Sequence, residues 1–207
     1  MWLIRLIVMC TQVDKKKVLV TGFGPFQGHS VNASWESVKE LQKGKFTSDV
    51  TIHIAEIPVA YKYVEDNLYK LEKELNPDLI MHVGVSSIGH CVQIEEFAHS
   101  TGYTKQDVEG CIPDESSIGP KCLKTSLDIS ELRMFCDKHA CSCTIESSTD
   151  AGRYLCEYIY YTSLNANIAP ALFVHVPCLD APYSKEELAE TLRLIVLAAL
   201  SQISRTK

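Results

Sequence analysis

The chain reads as an α/β protein built on a mostly parallel sheet, and three observations carry that expectation. Short apolar runs rich in β-branched residues alternate with segments whose apolar residues recur at helical spacing, from residue 17 to residue 203. The order is strand then helix, repeated, rather than all strands followed by all helices, and that order favours crossover units. A length of 207 residues with 46% hydrophobic content supports one substantial core of the size such a domain needs.

Taken in order, residues 17–21 form a short β-branched run and read as the first strand. Asn32 is a polar starter for a helix over 33–41, and residues 50–57 follow as a strand. Residues 61–75 carry apolar positions at helical spacing, and residues 79–85 are a continuous apolar run of buried-strand type. Residues 92–97 alternate and are a further strand candidate. Residues 102–120 contain three glycines and two prolines, so they read as a long irregular segment near or over the site. Asp128 starts a helix over 129–139, residues 143–147 form a strand, and Asp150 starts a helix over 151–164. Residues 172–176 are the last strand, and Ser184 starts a final helix over 185–203. No repeat or low-complexity tract interrupts the pattern.

Residues 1–14 are apolar but far short of the roughly 20 residues that span a bilayer. Arg5 lies inside the run, and no small-x-small cleavage site precedes the lysines, so it makes a poor signal peptide. They read as an N-terminal leader of undecided order and role, with residues 15–207 as one domain. A formal net charge of −6 and a longest basic run of only Lys15 to Lys17 argue against nucleic acid and anionic membrane as partners. The nine cysteines follow no small-domain spacing, which points to reduced thiols in an intracellular setting. Neither Cys141-Ser-Cys143 nor the Cys111/Cys122 pair has metal-ligand spacing, and no metal is expected.

Cys156 and His175 carry the strongest chemical signal. Cys156 lies on the helix pattern after Ser148-Thr-Asp-Ala-Gly-Arg-Tyr-Leu, and His175 ends the apolar strand pattern Ala171-Leu-Phe-Val-His175. A thiol attacks as its thiolate, so an adjacent imidazole greatly improves it as a nucleophile. The structural alternative for Cys156 is packing on an aromatic helix face beside Tyr160. Glu95 ends the alternating run Cys91-Val-Gln-Ile-Glu95, and only one of Glu95 and Glu96 can point inward. An inward carboxylate would fix the tautomer of an imidazole, whereas an exposed pair would be ordinary surface. Phe23 and Phe26, in Thr21-Gly-Phe-Gly-Pro-Phe26, follow the first strand and suit either two aromatic walls around a small flat group or a covered sheet edge. The phosphate-loop pattern is missing there. His82 interrupts an apolar strand and reads as a hydrogen-bonded core residue.

These segments together resemble the pyroglutamyl-peptidase I family of cysteine exopeptidases. The resemblance runs from about residue 17 to about residue 200 and takes in Val20-Thr-Gly-Phe-Gly-Pro-Phe26, Val31-Asn-Ala-Ser-Trp35, Glu56-Ile-Pro-Val59, Ile94-Glu95, Asp150-Ala-Gly-Arg-Tyr-Leu-Cys156, Tyr160-Tyr-Thr-Ser-Leu164 and Phe173-Val-His-Val-Pro177. It implies a three-layer α/β/α sandwich with an open, mostly parallel twisted sheet, no cofactor, and a cytoplasmic location. It implies Glu95, Cys156 and His175 as the catalytic set, and a pyroglutamate pocket drawing on Phe23, Phe26, Tyr154 and Leu155. The implied substrates are N-terminally pyroglutamylated peptides. The resemblance leaves the oligomeric state open.

Two stretches depart from the animal members of that family. Glu96 stands where they carry a basic residue, and Ala98-His99-Ser100 where they carry Gly-His-Asn. A like charge beside Glu95 would disturb a Glu95/His175 pair. These departures support a rival reading, a non-hydrolytic relative that binds pyroglutamyl peptides or a protein partner.

Overall fold

A computed structural model describes residues 15–26, 30–86, 89–113, 119–180 and 182–206, so the leader at 1–14 lies outside the described residues. In chain order the elements are β1 (Lys16–Phe23), α1 (Ala33–Lys43), β2 (Val50–Ile57), α2 (Tyr61–Leu75), β3 (Leu79–Val85), β4 (Val92–Glu95), β5 (Phe97–His99), β6 (Cys122–Lys124), α3 (Ile129–Lys138), β7 (Ile145–Ser148), α4 (Leu155–Ala166), β8 (Ala171–Val176) and α5 (Lys185–Thr206). Six strands form one sheet in the order β2-β1-β3-β8-β4-β7. The first four are mutually parallel, and β4 runs antiparallel to β8 with β7 parallel to β4.

Two apolar layers follow from the alternation of side chains along the central strands. Val18, Val20, Met81, Val83, Leu172 and Val174 face α1, α3 and α5. Leu19, Ile80 and Phe173 face the other way, onto α2 and α4, where Val64, Leu68, Ile159 and Tyr160 complete the layer. This is the expected α/β/α sandwich. No helix among the described residues is long and apolar enough to cross a membrane.

Three expectations are corrected in detail. The alternating run at 92–97 breaks at Glu96, so β4 joins the main sheet while β5 pairs with β6 in a separate ribbon. That second strand, β6, comes directly after the segment read as irregular. The strand expected at 143–147 is β7, shifted to Ile145–Ser148.

The third correction concerns α4, which starts at Leu155 rather than at Ala151. Gly152 and Arg153 have φ of 93° and 49°, a left-handed turn that no α-helix contains. Asp150 spends its cap on that turn, its Oδ1 accepting the Gly152 N–H at 3.1 Å. Asn32, Asp128 and Ser184 do cap their helices. Asn32 Oδ1 accepts the Ser34 N–H, Asp128 Oδ1 the Glu131 N–H, and Ser184 exchanges bonds with Glu187 in a capping box.

Candidate active site

The site lies where β1, β3, β8 and β4 end or begin beside the N-terminus of α4. Glu95 closes β4, opposite Phe173 in the antiparallel register with β8, while Gln93 is opposite His175. That offset brings His175 Nδ1 to 2.7 Å from Glu95 Oε1. Glu95 is only 1% exposed, and Tyr160 of α4 donates its hydroxyl to the Glu95 carbonyl at 3.0 Å. The backbone that carries the carboxylate is therefore held from two elements.

Cys156 is the second residue of α4, within its first turn, and its thiol lies close enough to His175 to raise the imidazole pKa. With Nδ1 engaged by Glu95, Nε2 is the ring nitrogen left for the sulfur. Gly84 on β3 leaves the space that this needs: a Cβ there would lie 2.7 Å from Phe173 Cζ and 2.8 Å from Cys156 Sγ. Burial by itself disfavours the charged imidazole, but the hydrogen bonds and charges of Cys156 and Glu95 outweigh it and raise the His175 pKa to about 10.

All seven sequence-predicted site residues open onto one cavity of about 760 Å³: Phe23, Phe26, Glu95, Tyr154, Leu155, Cys156 and His175. Phe23 and Leu155 are buried walls, while Tyr154 rests its ring edge-on against Tyr61 at 6.0 Å and donates to the Gln106 carbonyl at 3.3 Å. Val59 and Val85 add apolar surface, and Asn32, Ser86 and Gln93 add polar groups. Sequence reading passed over these five as site residues. Asn32 shows only as a helix starter, although its amide also donates to the Gly24 carbonyl at 2.9 Å and so fixes the loop that carries Phe26. The signal for Gln93 was present, because it shares a strand face with Glu95.

The like charge beside Glu95 turns out to point elsewhere. Successive strand residues face opposite sides, and Glu96 pairs with Lys124 of β6 at 3.1 Å. Ser100 is buried against the Tyr161 hydroxyl, away from the cavity. His82 is the core residue expected, fully buried between Thr21 and Ser163. Among the described residues no group of three or more His, Cys, Asp or Glu side chains could hold a metal ion.

Comparison with known proteins shows the family. The chain is 36% identical over 200 residues to pyroglutamyl-peptidase 1 of Homo sapiens, covering 93% of this chain and 94% of that protein. The protein of the same name from Mus musculus is matched to the same extent. Among solved structures, pyrrolidone carboxyl peptidase from Fervidobacterium islandicum superposes with a TM-score of 0.81 at 28% identity, covering 91% of this chain and 99% of that one. Pyroglutamyl peptidase I of Bacillus amyloliquefaciens gives 0.80 at 26% identity, covering 91% and 98%. The family model described as pyroglutamyl peptidase matches residues 16–193, and on that match the chain belongs to the pyroglutamyl peptidase family of cysteine hydrolases.

Proposed function

We propose that this protein is a cytoplasmic exopeptidase that hydrolyses the amide bond after an N-terminal pyroglutamyl residue, with Cys156 as nucleophile, His175 as acid and base, and Glu95 orienting the imidazole. The observation that carries the reading is the line Glu95–His175–Cys156 facing a cavity walled by Phe23, Phe26, Tyr154 and Leu155. The pKa of His175, raised by Cys156 and Glu95 against the effect of burial, favours its imidazolium form. A cationic ring beside the sulfur favours the thiolate, and so does the positive end of α4. With α4 starting at Leu155, and not at 151, the sulfur is inside the first turn.

The sulfur attacks the pyroglutamyl carbonyl carbon, and the oxygen takes the negative charge. First-turn N–H groups have no intrahelical acceptor, so the N–H of Cys156 is free of a helical partner and is the donor assigned to that oxygen in this reading. Collapse breaks the C–N bond, with His175 giving its Nε2 proton to the departing amine. Water then adds to the thioester, loses a proton to His175, and releases pyroglutamate and the thiolate.

Selectivity follows from the walls. A lactam ring is flat and uncharged, so it can be buried among Phe23, Phe26 and Val59 with a few amide hydrogen bonds. A free N-terminal ammonium would lose its hydration there without a partner. The rival binding-only reading drew on Glu96 and Ser100, and neither side chain reaches the cavity.

The test is release of a fluorescent amine from a pyroglutamyl amide in reducing buffer, with a prolyl amide as selectivity control and Cys156→Ser as matched protein. Turnover of the pyroglutamyl substrate alone, abolished in the variant, is expected. Folded wild-type protein without turnover would overturn the reading in favour of binding alone.

A further inference from the structure

Directly after the sulfur-bearing residue comes a carboxylate that the chemistry above does not use. Glu157 is fully buried in the first turn of α4. Its Oε2 accepts the backbone N–H of Arg153 at 2.9 Å, and Arg153 Nη1 lies 2.9 and 2.7 Å from Oε1 and Oε2. His99 of β5 adds its backbone N–H at 3.0 Å and its Nδ1 at 2.8 Å, both on Oε1. The residue gripped in this way is the left-handed one, with φ of 49°, that turns the chain into the helix. Gly102 lets the guanidinium stem lie flat against it, since a Cβ there would come within 3.2 Å of Arg153 Cδ.

A buried negative charge one residue from Cys156 opposes a thiolate, by the same physics that makes the helix start favour one. The sign of the local field depends on whether that charge is cancelled. Among the described residues, the charged or titratable groups around Glu157 are Arg153, His99, Tyr103 and Asp150. Tyr103 spends its hydroxyl on the His99 carbonyl, and the Asp150 side chain is 71% exposed. Arg153 is thus the one permanent cation at the carboxylate.

We propose that Arg153 and Glu157 are positioning residues that form a charge-balanced clamp: the pair holds the left-handed turn at the cavity wall, and Arg153 cancels the field of Glu157 at Cys156 so that the start of α4 still favours a thiolate. This rests on Cys156 being the reactive thiol, and it adds a specific electrostatic role for two residues that touch neither substrate nor reacting atoms.

The experiment is the pH dependence of iodoacetamide labelling at Cys156, followed by peptide mass spectrometry on the full chain. Arg153→Met exposes the sulfur to an uncancelled carboxylate. Its labelling midpoint is expected to rise by about half to one unit, which slows labelling about three- to tenfold below the midpoint. Glu157→Gln leaves Arg153 as an unbalanced cation and is expected to lower the midpoint by a similar amount. The double variant returns close to wild type. A purely structural role would move both single variants the same way, so shifts of equal sign, or no shift in Arg153→Met, overturn the clamp. If Arg153→Met does not fold, Glu157→Gln decides alone: a lower midpoint upholds the proposal, and an unchanged or higher one sinks it. Because labelling needs no turnover, a wild-type protein that labels with this pattern yet cleaves no pyroglutamyl amide would refute the peptidase reading and leave the clamp standing.

Discussion

Replacing Glu95 by Gln tests whether the carboxylate holds the imidazole charged as well as oriented. Glutamine keeps the shape and one acceptor oxygen, and removes the negative charge 2.7 Å from His175 Nδ1. Two unit charges about 4 Å apart interact by roughly 4 kcal/mol at an effective dielectric of 20. Part of that is kept as the neutral hydrogen bond, and Cys156 still favours the cation, so a fall of about 1–2 units from about 10 is expected. The sign is fixed: loss of an anion disfavours imidazolium, and the pKa moves down. His175 is raised in the folded protein, so its contribution to stability is complete below its unfolded value of 6.5 and is lost as pH rises through about 10. Proton NMR of the His175 ring, with the alkaline limb of kcat/KM beside it, reads the shift directly. Both should move to lower pH in Glu95→Gln, with kcat down about tenfold to a hundredfold from lost orientation. A ring that titrates at the same pH in both proteins would refute the assignment of that charge to Glu95.

Gly84→Ala puts a methyl 2.8 Å from Cys156 Sγ and 2.7 Å from Phe173 Cζ, so kcat/KM should fall about a hundredfold with about 1–3 kcal/mol of stability, measured by kinetics and urea unfolding. Glu96→Arg should leave kcat/KM within about threefold, since it disrupts only a part-exposed pair with Lys124 worth under about 1 kcal/mol; a large loss would show that Glu96 does reach the triad. Burial raises the Glu72 carboxyl from 4.5 to about 7, so its contribution to stability is present below pH 4.5 and is lost as pH rises through 7. Urea midpoints at pH 5 and pH 8 should therefore diverge less in Glu72→Gln than in wild type, by up to about 3 kcal/mol, and an equal divergence would sink that account.

Much of this architecture is legible in the chain because its central strands are buried on both faces. Continuous runs such as residues 79–85 and 172–176 announce themselves by composition. The edges of elements are less legible where tertiary contacts decide them. Residues 151–154 carry helical periodicity, yet Arg153 turns left-handed with its N–H on Glu157, a carboxylate that His99 of β5 also holds, and no local rule anticipates a bond from β5. The split at Glu96 has a similar origin: its N–H goes to the Ser148 carbonyl and its own carbonyl accepts from Thr125, two partners distant in sequence. At the candidate site, Cys156 and His175 stand out in the sequence as reactive side chains against helical and apolar strand patterns, whereas the choice of Glu95 over Glu96 comes with the family resemblance. Asn32 and Gln93 do not stand out, because a cap and an alternating polar residue look the same whether or not a cavity adjoins them.

The two strand histidines show why residue type alone cannot assign a role. His82 and His175 lie on paired strands, with His82 opposite Phe173 and Gly84 opposite His175, so they sit one strand and two residues apart. His82 has only hydroxyl neighbours on its ring nitrogens, Thr21 and Ser163, each at 2.7 Å. Ser163 donates to Glu72, so its oxygen must accept Nε2–H, which leaves His82 Nδ1 to accept from Thr21. Every ring position is thereby satisfied by the neutral form, and burial pushes the pKa down to about 3. His175, which borders the cavity, has the Glu95 carboxylate on Nδ1 and the Cys156 thiol nearby, and its pKa goes up to about 10. Two imidazoles on neighbouring strands shift in opposite directions, and the difference comes from what each nitrogen meets. A hydroxyl can serve either form of the ring, so burial decides and the histidine becomes structure; a carboxylate accepts from either form but favours the cation, and at His175 that preference outweighs the burial.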